Sequence, residues 1–274
     1  ALPQVIKRLL SHSIPPSPII ALLTDFGLSD HYVGTMKAVI ASICPAARVI
    51  DISHDIGARQ VREGAYVLWS SYRFFPAGTV FVSVVDPGVG TNRRIIGIRT
   101  AKYIFLAPDN GLLDFIRADE SAIASLEVRV DGSPYVLSHV SSTFHGRDVF
   151  APVAAYLSRG VDFGEIGTPV PLGPPGFSFF IPGRQQGEPV ILHIDRFGNI
   201  ITNIRVNREA NSVRSVSVGA KKVDRWVNNY LEAPARTPCL IVGSGGLIEI
   251  VMKNESARAR LKATPESPVR IRFE

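Results

Sequence analysis

Two segments of this chain carry the residue types that handle protons. Val85-Asp86-Pro87-Gly88-Val89-Gly90-Thr91-Asn92-Arg93 sets an acid and an arginine seven positions apart, around a proline and two glycines that make the backbone bend. Thr143-Phe144-His145-Gly146-Arg147-Asp148 supplies a histidine. If Asp86, Arg93 and His145 meet in the fold, a carboxylate can orient an imidazole while a guanidinium fixes the local charge. Such a group can take a proton from water. Taken singly, each has a plainer role: Asp86 and Gly88 in a turn, Arg93 in a surface pair, His145 at a helix start.

Asp86 follows an apolar run, Thr79 to Val85, of the kind that forms a buried parallel strand, and open α/β sheets place their ligands at the carboxyl ends of strands. Asp25 stands in the same relation to the run Ile19 to Leu23. Its carboxylate can accept two hydrogen bonds from a ribose diol, or cap the next segment. The Asp25-Phe26-Gly27 triplet is no kinase signature, since only 24 residues precede it. Later, Asp195-Arg196-Phe197-Gly198-Asn199 and Thr202-Asn203 offer polar groups for an ammonium or an adenine edge, or a turn closed by Gly198-Asn199. Gly243-Ser244-Gly245-Gly246 frees backbone N–H groups to converge on a carboxylate. His54 and Asp55 lack the spacing of metal ligands, so no metal is expected.

To position these residues, the first part of the chain alternates strand-like runs with amphipathic segments. Strands are predicted at 19–23, 49–52, 80–85, 95–98, 103–106 and 126–130, with helices from Asp30 to about Ile43, from Val61 to Phe74 and from Arg147 to Leu157. The stretch PVPLGPPGFSFFIPGRQQGEP (169–189) is too rich in proline and glycine for a regular element. Beyond it, runs at 190–194, 215–218, 240–242, 247–251 and 269–273 suggest a small β-barrel or sandwich. The predicted organisation is an N-terminal extension (1–18), a mostly parallel α/β domain (19–170), a linker (171–188) and a small β domain (189–274).

With 274 residues, 46% hydrophobic and 20% charged, the chain can bury a real core. No apolar run has the length of a membrane span and no secretory pattern opens it, so a cytoplasmic protein without membrane contact is expected. Cys44 and Cys239 lie far apart and read as buried thiols. The net charge of +6 arises wholly from residues 205–274, yet their few aromatics make no stacking platform, so no nucleic-acid partner is expected.

Taken in order, TDFGLSDHYVGTMKAVI (24–40), DISHDI (51–56), VDPGVGTNRR (85–94), APDNGLL (107–113), TFHGRDVFAP (143–152), DRFGNIITNI (195–204) and GSGGLIEI (243–250) resemble the S-adenosylmethionine hydroxide adenosyltransferase family. This is the water-using branch of the superfamily that contains the fluorinase and chlorinase. The resemblance implies an α/β domain followed by a β-barrel, and a homotrimer with its sites between subunits. It also implies hydrolysis of S-adenosyl-L-methionine to adenosine and L-methionine with no cofactor. By motif, Asp86, Arg93 and His145 match the catalytic group and Asp25 the ribose carboxylate. Asp195, Asn199 and Ser244 match residues around the methionine portion and the nucleoside. The pattern departs at Val251-Met252-Lys253-Asn254, where similar proteins carry an asparagine nearer the strand, and 1–18 lie outside it. The nearest alternatives are a halogenase that uses chloride or fluoride in place of water, and a ligand sensor without turnover.

Overall fold

The computed structural model describes residues 17–182, 187–206 and 213–273; the predicted extension lies almost wholly outside them. The chain divides into two compact units. One comprises Arg59 and the described residues before it, Arg73–Asn110 and Ser121–Leu172; the other comprises Gln60–Tyr72, Gly111–Glu120 and the residues from Gly173 on.

The first unit is built on a seven-stranded sheet, β1 (Ile19–Thr24), β2 (Arg48–Ser53), β3 (Val80–Val84), β4 (Ile95–Arg99), β5 (Ile104–Pro108), β6 (Ala124–Val128) and β7 (Gly167–Pro169), in the order β2-β1-β3-β5-β4-β6-β7. The pairings β2·β1, β1·β3 and β3·β5 are parallel and the rest antiparallel, so all strands but β4 and β7 point one way. Every residue of β3 is buried, as its unbroken apolar run requires. Helix α1 (Tyr32–Ile43) buries Val33, Met36 and Ile40, one stripe at helical spacing, and Met36 and Ile40 join the core that holds the sheet residues Ile20 and Leu22. It does not use Asp30 as its cap: the first turn begins at His31, whose side chain makes no capping hydrogen bond.

The second unit gathers helix α2 (Val61–Ser71), helix α3 (Asp114–Asp119) and the C-terminal strands. The helix predicted to reach Phe74 ends at Ser71 and tightens into a 3₁₀ turn, Tyr72–Phe74. The proline-rich segment has no long regular element but is firmly held. Asp114 Oδ2 accepts the Gly176 and Phe177 N–H groups at 2.7 and 2.9 Å, and the rings of Phe177 and Phe179 pack on Phe115. The strands β8 (Ile191–Ile194), β9 (Ile200–Arg205), β10 (Val213–Val218), β11 (Lys221–Val223), β12 (Cys239–Val242), β13 (Leu247–Val251) and β14 (Val269–Phe273) form two antiparallel sheets, β12-β13-β9-β8 and β11-β10-β14. A short helix, α5 (Ala257–Leu261), precedes β14.

Strand β9 went unseen in the sequence because its polar residues looked like site residues. Thr202 and Asn203 are instead buried cross-links. The Thr202 hydroxyl donates to Ile248 O at 2.7 Å. The Asn203 amide accepts Val190 N–H (2.8 Å) and donates to Ser178 O (3.1 Å) and Glu188 O (2.9 Å). Asn203→Ala removes three hydrogen bonds worth about 0.5–1.5 kcal/mol each and should cost about 2–4 kcal/mol of stability. Urea denaturation should show a lower midpoint with an unchanged slope.

Candidate active site

Asp86 lies two residues past the end of β3 in a turn drawn by its own side chain: Oδ1 accepts the Gly88 N–H at 3.2 Å, and the Thr91 hydroxyl closes on Gly88 O at 2.7 Å. Asn110, just past β5, donates to Val85 O at 2.9 Å, while Arg94 holds Asp109. Both ends of the 86–93 loop are thereby tied to the residues that follow β5. Gly90 sits at φ +79°, and a Cβ on it would lie 2.3 Å from Ser142 O. Only glycine permits that approach of the loop to the segment that leads into His145.

The histidine segment is fixed by Asp148, a fully buried carboxylate. It accepts the Ser141 N–H (2.9 Å) and hydroxyl (2.7 Å) and pairs with the Arg147 guanidinium. Burial alone would raise its pKa, but the hydrogen bonds from Arg147 and Ser141 win and hold the carboxyl below the ordinary range. His145 introduces a π-helical turn, Gly146–Phe150, which runs into α4 (Ala151–Ser158). The sequence predicted an ordinary helix here from Arg147, and nothing in its periodicity marked the extra residue in the turn.

The structure brings Asp86, Arg93 and His145 together, in an order different from the expected one. Arg93 Nε lies 2.8 and 2.7 Å from the two Asp86 oxygens and Nη2 lies 2.5 Å from Oδ2; the same Nη2 reaches His145 Nδ1 at 2.9 Å. The guanidinium therefore stands between carboxylate and imidazole. Because a guanidinium has only donors, Nδ1 must present its lone pair, and the neutral ring carries its proton on Nε2. Burial, reinforced by the Arg93 charge, lowers the His145 pKa against the opposing pull of Asp86 and Asp148. These effects favour the neutral imidazole.

A cavity of about 150 Å³ opens beside this group, lined by Phe26, Tyr32, Val89, Phe144, Asp86 and His145 among others. The three aromatic rings contact one another, with centroids 5.1 to 5.9 Å apart. Sequence reasoning passed over them, although each sits within a motif already singled out for its charged residues. Asp25 accepts the Arg59 N–H at 2.8 Å through Oδ2. Oδ1 takes no part in that bond.

In the second unit, Asp195 and Asn199 line a separate cavity of about 620 Å³ with Phe197, Tyr230, Met252 and Asn254. Asp195 accepts the N–H groups of Phe197 and Asn199 and the Asn199 side-chain amide at 2.8 to 2.9 Å. The turn closes against Ser256, where a Cβ on Gly198 (φ +83°) would lie 2.0 Å from Oγ. Burial and the nearby Asp195 charge push the Glu249 carboxyl up, partly offset by a Tyr230 hydrogen bond. Ser244 is exposed in the turn between β12 and β13 and is not among the residues lining that cavity. Among the described residues, no group of three or more His, Cys, Asp or Glu side chains could hold a metal ion.

Residues 20–167 match the model of the SAM hydroxide adenosyltransferase N-terminal domain and residues 189–270 that of the C-terminal domain. The chain belongs to the SAM hydroxide adenosyltransferase family. A Thermus thermophilus protein named (R)-S-adenosyl-L-methionine hydrolase is 34% identical over 92% of this chain and 98% of its own length. A fluorinase from Actinoplanes is 31% identical over 69% of this chain and 72% of its own. The crystal structure of an uncharacterized conserved protein from Thermotoga maritima superposes with a TM-score of 0.80 at 33% identity, covering 92% of this chain and 99% of that one. The N-terminal match holds Asp25, Asp86, Arg93 and His145, and the C-terminal match holds Asp195, Asn199 and Ser244.

Nitrogen NMR of the imidazole should find neutral His145 protonated on Nε2; protonation on Nδ1 would contradict the Arg93 contact. Gly90→Ala should displace the loop, since both the positive φ and the Ser142 carbonyl oppose a Cβ. Strain of this kind costs about 1–3 kcal/mol, measurable by denaturation, and the His145 nitrogen shifts should move as Arg93 withdraws.

Proposed function

We propose that this protein hydrolyses S-adenosyl-L-methionine to adenosine and L-methionine. The observation that carries the reading is the Asp86–Arg93–His145 contact beside an aromatic-lined cavity, in a chain of the hydroxide adenosyltransferase family. Hydrolase relatives also align over more of the chain than the fluorinase does.

In the proposed step, water oxygen bonds to the ribose 5′ carbon as the carbon–sulfur bond breaks. The electron pair goes to sulfur, methionine leaves as a neutral thioether, and the water proton passes to the Asp86–Arg93–His145 group and on to solvent. A thioether departs without a general acid or a Lewis acid, so neither metal nor cofactor belongs to the scheme. The difficult part is the nucleophile: bulk water has a pKa of about 15.7. Arg93 stabilises developing hydroxide. His145 takes the proton at Nδ1 once Arg93 Nη2 turns from it. Phe26, Tyr32 and Phe144 offer ring faces to the cationic sulfonium. Asp25 grips the ribose, while Asp195, Asn199 and Ser244 serve the methionine portion and nucleoside. Because these residues divide between the two units, the active species is proposed to be a homotrimer with sites between subunits and with the C-terminal strands closed into a small barrel. Two buried free thiols suit a reducing, cytoplasmic compartment.

The decisive experiment is incubation of the pure protein with S-adenosyl-L-methionine, without added halide, followed by chromatography. Adenosine and methionine should appear, and a chelator should leave the rate unchanged. A product formed only with chloride or fluoride would make it a halogenase, and binding without turnover would make it a sensor. His145→Ala should lower turnover by about 10² to 10⁴-fold while substrate still binds. Imidazolium is disfavoured in this site, so wild-type kcat/KM should hold as pH falls past the ordinary imidazole value of about 6.5 and decline only below it; an acid limb above that value would contradict the geometry. Asp25→Ala should weaken binding by about 2–4 kcal/mol in calorimetry, as loss of hydrogen bonds to a charged acceptor implies.

A further inference from the structure

The DISHDI segment takes no part in the scheme above, yet it contains one of the few buried titratable groups. His54 follows β2 and is 3% exposed, beside Thr24, which is fully buried at the end of β1. Their meeting depends on an irregularity. Along the parallel β1·β2 ladder Leu22 pairs with Asp51 but Leu23 with Ser53, so β2 carries one extra residue, Ile52. Bulges are rare between parallel strands and re-aim the side chains beyond them; here the shift brings His54 abreast of Thr24.

The contacts form a continuous polar chain. Lys37 Nζ pairs with Asp51 Oδ2 at 2.6 Å, and Asp51 Oδ1 lies 3.1 Å from His54 Nε2. His54 Nδ1 is 2.8 Å from Thr24 Oγ1, which accepts the Phe26 N–H at 3.2 Å. The His54 carbonyl accepts the Gly27 N–H at 2.8 Å. With the Nε2 proton facing Asp51, the Thr24 hydroxyl donates to Nδ1 and its oxygen remains free to accept Phe26. Nε2 approaches Asp51 as a charge contact without an aligned hydrogen bond, so the hydrogen bonding of the ring is made on its Thr24 side. The turn so held is Asp25-Phe26-Gly27: Asp25 projects from it, and Phe26 forms a wall of the first cavity and packs on Phe144 with centroids 5.8 Å apart.

We propose that His54 is a positioning residue that, through Thr24 and the Gly27 amide, sets the Asp25-Phe26-Gly27 turn for its grip on the substrate ribose. This rests on the reading of Asp25 as the ribose carboxylate. His54 touches no substrate. A buried polar chain gains little stability over an apolar packing of similar volume; what it confers is one fixed position for the turn.

The test uses Thr24→Val, which keeps the shape and deletes the hydroxyl, Thr24→Ser, which keeps the hydroxyl, and His54→Asn as a second break in the chain. Thr24→Val and His54→Asn should raise KM for S-adenosyl-L-methionine by about ten-fold, the equivalent of one lost hydrogen bond, with kcat at saturation little changed. Thr24→Ser should restore KM. Unchanged KM, a fall in kcat alone, or a Thr24→Ser enzyme no better than Thr24→Val would overturn the assignment. Amide hydrogen exchange gives a readout that needs no turnover. Phe26 and Gly27 should exchange faster in Thr24→Val and His54→Asn, and wild-type protection in both would refute the hook even if the protein hydrolyses its substrate. Conversely, faster exchange in a protein that yields no adenosine would uphold the hook and refute the proposed reaction.

Discussion

A guanidinium held on one side by a carboxylate and on the other by an imidazole is the interaction on which the first unit's site depends. Arg93 and Asp86 expose only 11% and 4% of their side chains, so neither can fall back on water if the other is lost. Removing one partner of such a buried pair costs about 3–5 kcal/mol. The loops around the pair follow from that demand. Gly90 gives up its side chain to let two loops touch, Asn110 anchors the strand end beside Asp86, and Asp148 uses its burial to hold the segment in front of His145. None of these three contacts needs to meet a substrate, yet each limits how far Arg93 can stray from the ring nitrogen it serves.

Burial and the same guanidinium together set the character of the histidine. A carboxylate at Nδ1 would favour a protonated, basic ring; burial and a cation at Nδ1 do the reverse and favour the neutral ring with its proton on Nε2. The difference between those two arrangements is a swap of neighbours within a few ångströms. It changes which nitrogen is able to take a proton, and it ties any proton uptake to a movement of Arg93.

Much of this was legible in the sequence, and the limits were physical. Asp86 and Asp25 could be placed at strand ends because β3 and β1 are unbroken apolar runs, and the pairing of Asp86, Arg93 and His145 followed from motif. The order of contact within the group did not, because spacing along the chain says nothing about which donor faces which acceptor. Strand β9 was hidden because Thr202 and Asn203 satisfy themselves inside the fold, where a one-dimensional reading sees only exposed polarity. The short helices α3 and α5 are too brief to show a period. The bulge at Ile52 leaves no mark, since a strand with one extra residue has the same composition as a strand without it.

The π-helical turn after His145 carries a consequence for how this scaffold can change. A π turn is an α-helix that has taken in one residue without losing its ladder, and each residue of an α-helix turns the face by about 100°. A single-codon deletion within Gly146–Phe150 would relax the turn into regular helix, but it would also swing the residues before it by that angle relative to α4. His145 would leave Arg93, and Phe144 would leave the rings of Phe26 and Tyr32. The extra residue is thus a phase offset between a helix that belongs to the core and a side chain that belongs to the site. Length variation in descendants of this chain has free range in the surface loops and almost none here.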